Sequence, residues 1–189
     1  MTGRDKFNKF KKIILLCSNF LSVFGHNFNL FFFKFSKNIS GTKGILIRYI
    51  FARNIFKSIG DNVSIHEGVF IFNHSKISFG NNVSIHPMCY LEGAGQIEIG
   101  NEVSIAHSSS FISTNHSWDD ISLPIKYNKE NFENIIINDD VWIGCGVRVL
   151  SGVEIGSRSI VAAGAVVNKN VKRGSIVGGV PANQIKKIT

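Results

Sequence analysis

Three heptapeptides, Ile59-Gly-Asp-Asn-Val-Ser-Ile65, Phe79-Gly-Asn-Asn-Val-Ser-Ile85 and Ile99-Gly-Asn-Glu-Val-Ser-Ile105, align without gaps at a spacing of 20 residues. Within and beyond them runs a six-residue period. Bulky apolar residues fall at 59, 65, 71 and 77, at 79, 85, 91 and 97, and at 99, 105 and 111. The count restarts at Ile137 and continues through Ile143, Val149, Ile155, Val161 and Val167. Four positions after nearly every one stands a small residue, among them Val63, Ser75, Val83, Cys89, Val147 and Ala165. Such a period is neither that of a simple strand nor that of a helix. It arises when strands of about five residues alternate with tight turns, three per coil, and the coils stack as a triangular prism. The large residue is expected to fill the interior and the small one to sit where the backbone turns. Gly, Asn and Asp between them suit positions that need positive φ. Coils spaced about 4.8 Å apart make the five or so here a rod on the order of 25 Å long.

Working outward, the 189 residues are 44% hydrophobic and 18% charged, which excludes a disordered, collagen-like or coiled-coil chain. One domain with a short appendage fits that length. Cys17, Cys89 and Cys145 are odd in number and widely spaced, so neither a disulfide framework nor a paired-cysteine metal site is expected, and a reduced compartment fits. The net charge of +8 is unevenly placed. Residues 1–58 hold eleven basic side chains against the single acid Asp5, for +10; residues 59–189 hold ten basic and twelve acidic ones, for −2. The prism therefore has no basic surface built for nucleic acid.

The first 58 residues form a basic arm that also carries eleven of the sixteen phenylalanines. Phe7, Phe10, Ile14, Cys17, Leu21, Phe24, Phe28, Phe31 and Phe35 recur at intervals of three and four, which predicts one apolar stripe on a helix. From Ile13 to Phe33 no side chain is charged, yet Asn19, Gly25, His26, Asn27 and Asn29 argue against a membrane span. No small-residue cleavage site of a secretory signal follows. Two readings stand: residues 1–40 lie as an amphipathic helix on an anionic membrane surface, or they cap the prism with the Phe stripe. The two are compatible. Localisation is expected to be cytoplasmic, at the inner face of the membrane if the first reading holds.

With these repeats the chain resembles the hexapeptide-repeat acyltransferases. That resemblance implies an all-β fold, a left-handed parallel β-helix over 59–172, with a tail over 173–189 that includes Gly178-Gly-Val-Pro-Ala-Asn183. The handedness comes from the resemblance, since parallel crossovers are otherwise right-handed. A prism alone could be purely structural, so function needs a site.

The hexads break after Phe111, and a loop of about 113–134 protrudes. It contains Asn115, His116, Ser117, Trp118, Asp119 and Asp120. His116-Ser-Trp-Asp119 looks like the His-x-hydrophobic-Asp segment of the maltose, galactoside and xenobiotic acetyltransferases, in which the histidine is the general base. An imidazole is matched to removing a proton from a sugar hydroxyl as it attacks a thioester. Backbone N–H groups at a coil turn could stabilise the oxyanion that forms. Asn115 and Trp118 are candidates for orienting or acceptor contacts, and Asp119 or Asp120 for holding the second imidazole nitrogen.

A second segment, Asp139-Asp-Val-Trp142-Ile-Gly-Cys145-Gly146-Val, is similar to the Val-Trp-Ile-Gly segment of the same acetyltransferases. By that resemblance Cys145, Gly146, Ala163 and Gly164 approach the pantetheine arm of acetyl-CoA, with Trp142 and Pro181 flanking it. Asn168, Lys169, Asn183 and Lys186 would lie near the adenosine and phosphates, where lysines match the charge. Asn168 stands where the family commonly has Thr, and Asn183 where Arg occurs. The family assembles as homotrimers with the cofactor groove between neighbouring prisms.

The resulting expectation is an acetyl-CoA-dependent O-acetyltransferase that needs no metal. Its acceptor would be a sugar, nucleotide-sugar or lipid-linked glycan, as in O-antigen or capsule biosynthesis. The alternatives are an N-acetyltransferase on an amino-sugar nucleotide, a zinc hydrase of the carbonic-anhydrase type, and a non-catalytic scaffold. The zinc reading would use His66 and His86, which occupy equivalent repeat positions, with His107 nearby. His26 and His74 offer no constellation.

Overall fold

The computed structural model describes residues 3–188; the outermost positions of the arm and tail, 1–2 and 189, lie outside the described residues. Three parallel sheets form the faces of a β-solenoid, consistent with the left-handed β-helix that the resemblance implies. The first face is built from Ser58–Ile59, Ile77–Phe79, Ile97–Ile99, Ile135–Ile137 and Glu154–Ile155. The second stacks Ser64–Ile65, Ser84–Ile85, Ser104–Ile105, Trp142–Ile143, Ile160–Val161 and Ser175–Gly178, and the antiparallel strand Asn183–Lys187 closes it. The third comprises Phe70–Phe72, Tyr90–Glu92, Ser110–Ile112, Arg148–Val149 and Val166–Val167. Register follows the repeat: Ser64 pairs with Ser84, and Ser84 with Ser104.

The hexad residues fill the interior, where Ile85, Leu91, Ile97, Ile105, Phe111 and Ile143 are fully buried. The small residues are buried with them, Val83, Cys89 and Val147 included. Removing apolar surface of this kind from water contributes roughly 1.5–3 kcal/mol per large side chain. Ser75 departs from the expected pattern. It lies exposed in the short turn His74–Lys76, where the buried residue is His74 instead.

The edge joining the first and second faces explains the Gly-Asp/Asn-Asn signature. Asn81 Oδ1 accepts the Asp61 N–H at 2.9 Å, Asn101 Oδ1 the Asn81 N–H at 2.9 Å, and Asp139 Oδ1 the Asn101 N–H at 2.6 Å. The next residue of each turn, Asn62, Asn82, Glu102 or Asp140, takes positive φ. Asparagine and aspartate tolerate that backbone and offer the short acceptor the ladder needs.

The arm is three helices rather than one: α1 (Gly3–Ser22), α2 (Gly25–Phe35) and α3 (Gly41–Ala52). Gly25, at φ +78°, breaks the run after Phe24. The predicted single stripe is therefore split. Ile14 is buried, Phe7, Leu21 and Phe28 are half-buried, and Phe10, Cys17, Phe24, Phe31 and Phe35 are exposed. The cap reading accounts for the inner part of the arm. Arg4 pairs with Glu102 at 2.6 Å and Lys11 with Asp61 at 2.5 Å, laying α1 along the prism edge. Tyr49 of α3 donates its hydroxyl hydrogen to the Gly60 carbonyl at 2.9 Å. Among the described residues, no helix is long and apolar enough to cross a membrane.

Candidate active site

The loop leaves the edge between the third and first faces as a short hairpin, Thr114–His116 antiparallel to Glu130–Phe132. His116 sits opposite Glu130 in register, and Asn115 opposite Asn131. The exposed imidazole presents Nε2 4.0 Å from Glu130 Oε1. Glu130 is the carboxylate that the fold brings to the histidine. Asp119 is exposed and, among the described residues, no contact joins it to His116. Asp120 is used locally: its carboxylate accepts the Ser122 hydroxyl at 2.6 Å and the Ser122 N–H at 2.9 Å, which holds it below the usual carboxylate range.

Asn128 organises the loop. Its buried amide donates to the carbonyl of Asp120 at 3.1 Å and accepts the Asp120 N–H at 3.0 Å, closing a nine-residue segment from 120 to 128 on itself. Ser117, next to His116, is buried and donates its N–H to the Lys129 carbonyl at 2.8 Å. These bonds fix the base of the loop. Its tip is apolar and open, with Trp118 and Tyr127 each 68% exposed and Ile121 97% exposed.

Of the proposed cofactor positions, Cys145, Gly146, Ala163 and Gly164 gather on the edge between the second and third faces. There the Gly146 N–H donates to His107 O at 3.0 Å and the Gly164 N–H to Cys145 O at 2.8 Å. Gly146 and Gly164 hold φ at +68° and +71°, and a Cβ on either would meet nothing within 4 Å, so open space lies beside their backbone. Cys145 is half-buried and Ala163 exposed beside it. The tail continues the same edge: Val166 N–H donates to Gly179 O at 3.0 Å, Ala182 N–H to Val166 O at 2.8 Å, and the Asn183 amide to Pro181 O at 3.0 Å. Trp142 is exposed on the second face between Ser104 and Ile160, and Lys186 lies farther along that face opposite Ile176. Asn168 and Lys169 are exposed on the edge that also bears the His116 loop.

Within one chain, therefore, His116 and the Cys145–Gly164 edge flank opposite sides of the third face. A face of about five residues at about 3.3 Å each spans about 16 Å. A backbone edge with open space, small side chains and peripheral lysines is suited to an extended thioester cofactor. An exposed imidazole on a braced hairpin is suited to moving a proton.

His66 and His86 stack with centroids 4.9 Å apart and planes 11° from parallel. Burial, then the neighbouring His86, lowers the His66 pKa. Among the described residues, no group of three or more His, Cys, Asp or Glu side chains is disposed to hold a metal ion.

Sequence reasoning missed Glu130 and Asn128. Glu130 is 14 residues from His116 and becomes its neighbour only once the hairpin register is known.

Residues 134–169 match the family model "Bacterial transferase hexapeptide (six repeats)". The chain is similar to that family over those residues, and the solved structures it resembles include a hexapeptide-repeat-containing acetyltransferase and a maltose O-acetyltransferase. The hexapeptide-repeat-containing acetyltransferase VCA0836 of Vibrio cholerae O1 biovar eltor, complexed with acetyl coenzyme A, superposes with a TM-score of 0.74 at 25% identity, over 100% of both chains. A maltose O-acetyltransferase from Clostridium difficile 630 gives 0.73 at 25% identity, over 89% of each chain. In sequence, 53 residues are 49% identical to the 2,3,4,5-tetrahydropyridine-2,6-dicarboxylate N-acetyltransferase of Staphylococcus aureus strain JH9, covering 28% of this chain and 22% of that enzyme. The chain spans about a quarter of the length of the curated relatives it matches.

Proposed function

We propose that the chain is an acetyl-CoA-dependent O-acetyltransferase that modifies a sugar hydroxyl, with His116 as general base. The observation that carries this reading is the placement of His116 on the one large excursion from the prism, braced by Ser117 and Asn128 and faced by Glu130. The full-length likeness to an acetyltransferase complexed with acetyl coenzyme A supports the donor, and the maltose O-acetyltransferase likeness supports a sugar acceptor.

When bound, acetyl-CoA supplies the acetyl group as a thioester. Cys145, Gly146, Ala163 and Gly164 offer it a backbone edge free of bulk, with Trp142 and Pro181 beside it. Lys186 and Asn183 supply charge and hydrogen bonds for its phosphates, and Asn168 and Lys169, on the His116 edge, reach it only from a second copy. His116 takes the acceptor hydroxyl's proton at a ring nitrogen and later returns it to the leaving sulfur. Because His116 and the cofactor edge lie on opposite sides of one face, a complete site needs a second copy, in keeping with a homotrimer. The apolar loop tip, with Trp118, Ile121 and Tyr127 exposed, suits burial against that neighbour.

The arm bears on the acceptor's class only through place: Phe10, Leu16, Phe20 and Phe31 are exposed on two helices that also carry the exposed Lys6, Lys9, Lys12 and Lys34, a composition fitted to an anionic bilayer where lipid-linked glycans of surface polysaccharides reside. The test is release of coenzyme A from acetyl-CoA against sugars, nucleotide sugars, amino-sugar nucleotides and lipid-linked glycans. Turnover with hydroxyl acceptors is expected. Turnover confined to amino acceptors would favour the N-acetyl alternative, which the S. aureus match keeps in view.

A further inference from the structure

Between the helical cap and the first coil lies a cavity of about 260 Å³ that the acetyl-transfer reading does not use. Phe33, Phe70 and Phe72 wall it, and three cationic residues line it: Lys34, Lys37 and Arg48. No acidic side chain among the described residues lines it.

Arg48 is only 1% exposed. Its Nε donates to the Ile65 carbonyl at 2.7 Å, and its Nη1 to the carbonyls of Ser36 at 2.6 Å and Ile39 at 2.8 Å. Its Nη2 is buried and has no hydrogen-bond partner among the described residues. A buried donor left without an acceptor costs about 1–3 kcal/mol, more when the group is charged. Burial lowers the Arg48 pKa and the charge of Glu67 acts the other way, but Glu67 does not line the cavity. Lys37 Nζ lies over the Phe70 ring, 2.9 Å from its centroid, bringing a second cation to the aromatic wall. His74, edge-on to Phe33, adds no charge near neutral pH because burial holds its pKa down to about 4.

We propose that this cavity binds an amphiphilic anion: a carboxylate or phosphate head held by Lys34 and Lys37 in the field of the buried Arg48 guanidinium, on a short apolar chain lying among the phenylalanines. At about 30 Å³ per water-sized group, the space takes roughly eight or nine non-hydrogen atoms, the head and all but the last carbons of a chain such as that of octanoate. The same head and chain occur in free short-chain acids and in membrane lipids. The site stands apart from acetyl transfer, so its failure would leave the proposed activity untouched.

Calorimetric titration of the full chain with octanoate and with hexyl phosphate tests it. Saturable one-to-one binding is expected, with octanol and inorganic phosphate each at least tenfold weaker. Arg48→Met removes the guanidinium but also its hydrogen bonds to four carbonyls, so it is expected to destabilise the cap. The reporting variant is Lys34→Glu/Lys37→Glu, checked for an unchanged melting temperature and expected to bind octanoate at least tenfold more weakly. Val69→Trp, which fills the cavity from its wall, should abolish binding without changing charge. Competition by phosphatidylglycerol vesicles, but not phosphatidylcholine vesicles, would assign the site to bilayer lipid; octanoate binding undisturbed by either would assign it to a free anion. Absence of saturable binding to both probes, or undiminished binding by the folded double variant, would overturn the proposal.

Discussion

His116 and Glu130 face each other across the base of a two-stranded hairpin, with Nε2 and Oε1 4.0 Å apart. Neither side chain belongs to the prism, and their relative position depends on hairpin register. A carboxylate so placed can orient the ring and stabilise an imidazolium once it forms. Glu130→Gln keeps the shape and removes the charge. We expect it to lower kcat by up to about 100-fold, with the KM for acetyl-CoA little changed. Steady-state kinetics on both substrates decide this. A loss confined to KM would assign Glu130 to binding.

The three cysteines should separate by reactivity. Cys89 is fully buried, and desolvation pushes its pKa up to about 11, so it is inert to alkylation in the folded protein. Cys17 is exposed and Cys145 half-buried on the proposed cofactor edge. In a Cys17→Ser background, iodoacetamide should modify Cys145 alone, with coenzyme A slowing the reaction. Mass spectrometry of the labelled peptides reads the outcome. Labelling of Cys145 at a rate indifferent to coenzyme A would remove that residue from the groove.

Stability should fall on mild acidification. His74 packs edge-on against Phe33 and Phe56, with the charges of Lys34 and His26 also facing it. Burial, then those charges, lowers its pKa from 6.5 to about 4. The unfolded chain therefore binds a proton that the folded chain refuses between those values. Stability contributed by the neutral ring is intact above pH 6.5 and is lost as pH falls toward about 4, by at most about 3 kcal/mol. His66, lowered mainly by burial, acts in the same direction. Denaturant melts at pH 7 and pH 4.5 should show a smaller acid loss for His74→Phe than for the parent chain.

The prism was legible because every coil solves the same packing problem. Ile65, Ile85 and Ile105 meet identical surroundings 20 residues apart, so one register predicts all three. The asparagine ladder was visible as composition, though not as a chain of side-chain acceptors. The arm was harder. Its three-and-four spacing ran through Gly25, whose left-handed backbone turns one expected stripe into two helices with different exposed faces. At the site, His116 stood out because it interrupts a repeat. Glu130, Asn128 and Arg48 did not, since each is defined by partners distant in sequence or by a loop closing on itself. Local periodicity carries no information about such contacts.

The central claim is that His116 performs proton transfer in acetyl-CoA-dependent acetylation. Its most direct test is coenzyme A release by His116→Ala beside the parent chain, with the acceptor that the parent uses best. Because the imidazole is exposed and outside the core, the variant should melt at the parent temperature and lose about 10²–10⁴-fold in kcat. A folded variant that retains the parent rate would contradict the account.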